Sequence, residues 1–354
     1  MAYGQILGQT PFPVAQNVEY NGKVSGVDNV KSALDKLNDE VVKAAESGGG
    51  NIPGETIIGT TNGGWTEKDC DYLCNDGDND NTIFKEAISF ATRKPAKAIR
   101  LLSGKYYPGT IEITSHVTIV GTGTGNQSCE INGGRFYQKS GRLVLKNVFL
   151  SGSRQQQFDT FGGECIIDGC LITIMSPGGL DIAVMNDFND FTLKNSIVLQ
   201  SKIACFSNRC TIVNNIFRND FTRSNDSVLD VSLSKNSFVV GNIFENMRNT
   251  NNHTSDKIFF VYFGGKNSII SNNMFDSVDS NYVNGLRIVN NSNVVIGNRF
   301  NYNKKDSQVI AVELESFTEG NLVMCNNALY EIFNDKAPEG DNIVYSNLNK
   351  NNFS

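Results

Sequence analysis

The chain has 354 residues, a formal net charge of −6 and a pI of about 5.1. That acidic balance argues against nucleic acid and anionic membrane as main partners, because both attract Lys/Arg-rich surfaces. No apolar run reaches the roughly eighteen residues of a membrane-spanning helix. The start, MAYGQILGQTPFPVAQ, lacks the basic region and long apolar core of a Sec signal peptide.

In chain order, residues 1–26 are a short leading segment, followed at 27–50 by a helix and a glycine linker. Its apolar positions Val27, Val30, Leu34, Leu37 and Val41 step by 3 and 4, the seam of a short coiled coil. Lys, Asp and Glu occupy its other faces, and the glycines of SGGGN at 47–51 end it as a breaker and joint. A helix of this length has no core of its own, so the seam predicts self-association, without setting the number of strands.

Residues 51–125 change style. Asp80 or Asn81 is an N-cap candidate for a helix whose apolar period runs Ile83, Phe84, Ala87, Ile88, Ala91. The Asp76-x-Asp78-x-Asp80 run resembles the front of a calcium loop, but its twelfth position is Ala87 where a bidentate Glu is needed. AIRLLSGKYYPGTIEITSHVTIVGTGTG then reads as strand, Gly-Lys-Tyr-Tyr turn, strand and strand.

From residue 126 to 354 the chain repeats itself. IVNNIFRN, VVGNIFEN, IISNNMFDS, VVIGNRFNYN and LVMCNNALYE echo one another. Turn-marking Asn147, Asn195, Asn215, Asn242, Asn273, Asn298 and Asn327, with Gly169 in the equivalent place of IIDGCLITI, recur with a mean gap of about 26 residues. The units are β-branched, aromatic and Asn/Gly-rich with a period of two, which excludes helical repeats. A parallel β-helix with three short strands per coil remains. Inward side chains stack on their equivalents one coil away, and each Asn bonds its neighbour in a ladder at a sharp turn. Insertions such as ENMRNTNNHTSDK mark the corner where a solenoid places a binding surface.

Residues 66–125 carry a resemblance. DGDNDNTIFKEAISFA followed by AIRLLSGKYYPGTIEITSHVTIVGTG is similar to the opening segment of pectate-lyase-like right-handed β-helix proteins. Phage tailspikes and fibres, polysaccharide lyases and glycoside hydrolases share that fold. Asp80-Asn81-Thr82 stands for the family's double Asp, and Ser103-Gly104-Lys105-Tyr106 for its Pro-containing turn. NVEYNGKVSGVDNVKSALDKLNDEV resembles the attachment segments of tailed-phage appendage proteins, particularly from phages of gut bacteria. The resemblance implies a homotrimer, docking to other virion proteins through residues 1–26, and folding in the host cytoplasm before incorporation in the virion. A fold does not assign an activity.

For chemistry, aligned coils place Arg218, Glu245, Asp276 and Asn301 in one column. Sugar cleavage by paired carboxylates needs them about 5 Å apart for retention or about 6.5–9.5 Å for inversion, and adjacent coils lie about 4.8 Å apart. Glu245 and Asp276 are thus the catalytic candidates, although Arg218 beside Glu245 also fits a solvated turn column. Asp181, Asp187, Asp190, Asp226, Asp230, Glu313 and Glu315 have no assigned place, and His116 and His253 read as structural or surface residues. Trp65 lies outside the repeats, leaving Tyr262, Tyr282 and Tyr302 as possible sugar platforms. Eight cysteines, at 70, 74, 129, 165, 170, 205, 210 and 325, read as free thiols, several buried in strand-like runs. No metal site is expected, since Cys70-x3-Cys74 has no second Cys/His pair, and no cofactor is implied. The expected function is a structural phage appendage, a head or tail fibre or spike adsorbing to host surface glycan. A tailspike depolymerase and, more distantly, a free pectin-type lyase are the alternatives.

Overall fold

Short apolar runs, each closed by Gly, Asn or Ser, become strands, and every registered strand pair is parallel. The structure, a computed structural model, divides into two compact units at Ile52/Pro53. It describes residues 54–349 except 76–79, 124–127, 153–155, 161–162, 175–181, 219–226, 246–257, 278–282, 303–309, 329–332, 336–340 and 346–347. The leading segment 1–26 and the seam of Val27, Val30, Leu34, Leu37 and Val41 lie outside the described residues.

Each coil visits three faces in order. Face A runs from Ala98–Leu101 through Val117–Gly121, Arg142–Lys146 and Glu164–Asp168 to Leu322–Met324 and Ile343–Tyr345. Face B is an eleven-stranded sheet from Gly104–Tyr106 to Leu348–Asn349. Face C runs from Thr110–Ile113 to Phe333–Asp335. The two longest strands, Ile182–Lys194 and Ile203–Val213, start on face C and bend onto face A with a register shift between Asn186 and Asp190. They join those faces into one continuous sheet. The chain is therefore a parallel β-helix, preceded by a strand at Thr56–Thr60 and the helix α1 at Asn81–Ala91.

Inward columns make the core. On face A, Ile119, Leu145, Ile167, Leu193, Ile212, Val239, Ile270, Val295 and Val323 are all fully buried in register. On face B, Phe217, Phe244, Phe275 and Phe300 stack ring on ring at 4.7, 4.9 and 4.7 Å, with planes within 11° of parallel. The centroid spacing equals the strand spacing, so the parallel ladder imposes the offset stack.

The turn from face A to face B needs two adjacent residues with different tasks. The first is left-handed: Asn147, Gly169, Asn195, Asn214, Gly241, Asn272, Gly297 and Cys325 have φ between 52° and 68°. Gly and Asn tolerate that region best. The second forms a ladder. Asn215 N–H donates to Asn242 Oδ1 (2.9 Å), Asn242 N–H to Asn273 Oδ1 (2.9 Å), Asn273 N–H to Asn298 Oδ1 (3.0 Å) and Asn298 N–H to Asn326 Oδ1 (3.0 Å). The expected ladder is corrected at three places. Asn147 and Asn195 hold the left-handed position, and Ser196 takes the ladder place beside Asn215. Asn327 begins the next strand, one residue after Asn326. Asn serves both tasks, so adjacent asparagines hide which is which.

A second ladder stands at the turn from face C to face A. Ser237 N–H donates to Ser268 Oγ, Ser268 to Asn293 Oδ1, Asn293 to Asn321 Oδ1 and Asn321 to Asn342 Oδ1, at 2.8–3.1 Å. Left-handed Asn236, Asn267, Ser292 and Gly320 precede its members. Its signal in the sequence is the repeated Lys-Asn-Ser of 235–237 and 266–268. The remaining turn, from face B to face C, accepts the variable insertions, including 219–228 and 246–257.

Two local expectations change. Gly104–Tyr106 is a face B strand rather than a turn, registered Gly104 to Cys129 and Tyr106 to Ile131. A Cβ at Gly104 would stand 2.2 Å from Thr60 Cγ2, so only glycine lets the chain pass there. Asp80 occupies the N-cap position of α1 but its carboxylate makes no cap bond. It accepts Tyr107 N–H at 2.7 Å, while Asn81 Nδ2 donates to the Pro108 and Thr110 carbonyls. Both side chains tie the helix to the first coil.

The outer side of face A changes character along the axis. One outward column reads Lys146, Asp168, Lys194, then Val213, Val240, Ser271, Ile296 and Met324. The other reads Thr211, Phe238, Ile269, Val294, Leu322 and Ile343.

Candidate functional site

The parallel register places Arg218, Glu245, Asp276 and Asn301 in consecutive partner positions on the outer side of face B. The strands bring Glu245 and Asp276 one coil apart. Glu245 is already engaged by Arg218, however. Arg218 Nε donates to Glu245 Oε1 at 2.9 Å and its Nη2 bonds the same oxygen.

The outer side of face C holds a denser constellation. Asp230, Tyr262, Arg287 and Glu313 occupy consecutive register positions, with Glu315 two residues beyond Glu313. The Arg287 guanidinium bonds Glu315 and lies 3.5 Å from Glu313 Oε1. It also sits 5.6 Å from the Phe259 ring and 5.7 Å from the Tyr262 ring, two rings 5.9 Å apart. The Glu313 side chain is 1% exposed, against 30% for Arg287 and 24% for Glu315. Phe259, although next to this outer cluster, is fully buried. Asn284, in register with Phe259 and 1% exposed, accepts Ile310 N–H at 2.7 Å. Its Nδ2 has no partner among the described residues.

Burial, paired charges and aromatic faces thus converge where face C receives the chain from the variable turn. Such a site can accept hydroxyl hydrogens on the Glu315 carboxylate and stack apolar ring faces on Tyr262. In the sequence Asp230, Glu313 and Glu315 were identifiable only as unplaced acids, and Tyr262 only as one of three possible sugar platforms. Arg287 escaped notice because nothing around it repeats. Of the other sequence candidates, His116 is exposed and Asp190 pairs with Arg209. His253, Asp181, Asp226 and Tyr282 lie outside the described residues, and nothing is described of the side chains of Asp187 and Tyr302.

A third charged group lies on face B near the first coils. Glu130 accepts from Asn132 Nδ2 (3.1 Å) and Ser151 Oγ, and pairs with Lys105 Nζ at 3.2 Å. Burial raises its carboxyl, but the Ser151, Asn132 and Lys105 bonds outweigh that and hold it below the usual glutamate range. A depressed carboxylate contributes stability above its unfolded-state pKa of about 4.3 and loses it as pH falls through the folded value. Glu130→Gln should therefore cost less than about 1 kcal/mol at neutral pH, the pair being partly solvated. The difference from the parent should vanish in acid, as read by urea unfolding at about pH 7 and about pH 3.

All eight cysteines are free; six are buried, Cys70 is half-buried and Cys325 is exposed. Burial pushes the Cys170 thiol up to about 12. A thiol so placed stays protonated and serves as packing.

No protein-family model matches the sequence, and no curated protein matches it. Solved structures do. The chain is similar to an alginate lyase from Paenibacillus sp. str. FPU-7, with TM-score 0.55 and 14% identity, covering 77% of this chain and 97% of that one. It is also similar to PfbA, a surface adhesin of Streptococcus pneumoniae, with TM-score 0.52 and 13% identity, covering 77% and 88%. The tailspike protein of E. coli bacteriophage HK620 aligns over 94% of this chain and 69% of its own at 11% identity, with a TM-score of 0.38. At such identities the first two establish a common fold, and a fold hosts many activities.

Proposed function

We propose that this chain is a tailed-phage appendage that adsorbs to host surface polysaccharide through the outer side of its right-handed β-helix without cleaving it. The observation that carries the reading is the face C cluster: aromatic rings and two carboxylates gathered around Arg287, beside the turn that accepts insertions. Both candidate acid sites, Glu245 and Glu313/Glu315, already have a guanidinium beside them. The fold is shared with an alginate lyase and with an adhesin, so it is compatible both with polysaccharide and with surface attachment. In this reading residues 1–26 dock to other virion proteins, and the seam at Val27–Val41 sets the copies together as a trimer.

The test uses capsular polysaccharides extracted from gut bacteria. Saturable binding is expected, and Tyr262→Ala should weaken it about tenfold, the loss of one aromatic contact. Reducing ends and the ultraviolet absorbance of unsaturated uronates should stay flat. Product release that Glu245→Gln or Asp276→Asn abolishes would establish a depolymerase instead.

A further inference from the structure

Near the first coil, a cleft of about 450 Å³ opens between α1 and the outer side of face C. Asn81, Lys85, Gly109, Thr110, Glu112 and Tyr137 line it. Five registered strands lie between Arg135 at its edge and Arg287, so roughly 30 Å separates it from the face C cluster. Local rules build its walls. Asn81 Nδ2 donates to the Pro108 and Thr110 carbonyls at 2.8 and 2.6 Å, which fixes α1 over the strand Thr110–Ile113. Lys85 stands one turn further on and shares that helix face. On face C, alternation points Thr110 and Glu112 outward, and Arg135 and Tyr137 of the next coil stand in register with them. Lys139, two residues past Tyr137, pairs with Glu112 at 3.0 Å. The Arg135 and Lys139 charges each lie 5.8 Å from the Tyr137 ring, which they flank along the chain.

Among the described residues, Lys85, Arg135 and Lys139 thus bring three positive charges to one concave spot, against the single acid Glu112. In a chain of net charge −6 that balance is a local reversal. Lys85 has no ionic or hydrogen-bond partner among the described residues. Like charges held around one cleft repel, and the Tyr137 ring offsets this only in part. A bound anion would remove the repulsion. We infer that the cleft binds the phosphate group of a phosphorylated sugar. A phosphate monoester carries about −1.5 to −2 charge at neutral pH and three acceptor oxygens. Three cations against one acid call for more than the one charge of a carboxylate, and a neutral sugar would leave Lys85 unpartnered. Lysine ammonium and arginine guanidinium groups both bind phosphate well. A nucleic acid would need a basic surface following several phosphates, whereas this patch is one cleft wide. Its volume falls in the range of small-ligand sites, enough for a monosaccharide and its phosphate. Glu112 remains to accept a sugar hydroxyl. The site stands on its own charges and does not depend on polysaccharide binding at Tyr262.

Calorimetric titration of the full chain with glucose 6-phosphate at low ionic strength tests it, with glucose, galacturonate and inorganic phosphate as the other arms. Saturable binding of glucose 6-phosphate is expected, and none of glucose. Lys85→Ala should weaken it about tenfold, the loss of one charge-assisted contact. Lys85→Ala combined with Arg135→Gln should abolish it, with circular dichroism unchanged because both side chains are exposed. Tyr262→Ala should leave it as in the parent, which separates failure here from failure of the polysaccharide site. Galacturonate binding as tightly as glucose 6-phosphate would overturn the choice of phosphate, and inorganic phosphate binding as tightly would overturn the sugar. No saturable binding of glucose 6-phosphate, or binding untouched by the double substitution, would overturn the site altogether.

Discussion

Phe275→Ala is expected to destabilise the β-helix by about 3–5 kcal/mol, the usual range for removing a fully buried phenylalanine. Phe275 stacks between Phe244 and Phe300 and also meets Phe260 from face C at 5.8 Å, as Phe244 does at 6.2 Å. Its loss therefore opens a cavity in the middle of the ring column and removes two stacked contacts worth about 0.5–1.5 kcal/mol each beyond burial. Backbone ladders on both sides hold the neighbouring coils at their fixed spacing, so the cavity cannot close by collapse. Urea unfolding read by circular dichroism measures the change. Phe275→Leu should recover much of the loss, because it keeps most of the volume. An alanine variant within about 1 kcal/mol of the parent would mean that the coils slide to fill the space, contrary to a rigid register.

The second large effect is expected at Arg287. Arg287→Leu removes the guanidinium that faces Glu313, whose side chain is 1% exposed. Removing this guanidinium from beside a buried carboxylate costs about 3 kcal/mol at most, below the full cost of breaking a buried pair, because Arg287 is itself 30% exposed. Without the guanidinium, burial favours the protonated carboxyl. The deficit should therefore be largest at neutral pH and should shrink as the solution is acidified. Glu313→Gln added to Arg287→Leu should recover part of the loss at neutral pH, since no charge remains to be buried. Thermal unfolding of the parent, the single variant and the double variant across pH separates this from simple loss of packing, which would be independent of pH. The same Arg287→Leu variant should also weaken polysaccharide binding, because Glu315 and Tyr262 lose the group that holds them together.

A smaller effect is expected at the asparagine ladder. Asn273→Ala deprives Asn242 N–H and Nδ2 of their common acceptor and the Val239 and Ser271 carbonyls of a donor. Asn242 N–H, left without its acceptor, costs about 1–3 kcal/mol, whereas Asn242 Nδ2 keeps the Ile212 carbonyl and the Ser271 carbonyl keeps Gly241 N–H. Asn147→Ala should act differently, through its left-handed backbone at φ 53°. There the cost comes from strain, and Asn147→Gly should be well tolerated, as Gly169 at the equivalent turn shows. Chemical unfolding of the two pairs of variants distinguishes a hydrogen-bonding role from a conformational one.

Much of this protein could be read without coordinates, and the repeat explains why. Apolar alternation and recurring asparagines report local requirements that each coil must meet: an inward side chain on a pleated strand, and a residue able to turn sharply. Because coils stack in register, the same echo also aligns neighbours, which is how Arg218, Glu245, Asp276 and Asn301 came to one column before any coordinates. The one-residue errors at Asn147, Asn195 and Asn327 have the same origin. Asparagine suits both the left-handed position and the ladder, and only the hydrogen-bond partners separate the two.

What the tertiary structure alone decided lies between elements that do not echo. The face C cluster joins residues from coils whose connecting segments differ in length, so no spacing announces that Tyr262, Arg287 and Glu313 meet. The phenylalanine stack is written in the repeat, but the burial of Glu313 and Phe259 is not, since no repeated residue marks either position. The apolar outer side of face A is likewise invisible in any single unit: an isolated Val-x-Val reads as a strand with one side in the core. Sequence determines the coil because its rules are local and periodic. Which outer surface becomes a site depends on what three faces and their unequal turns bring together in space.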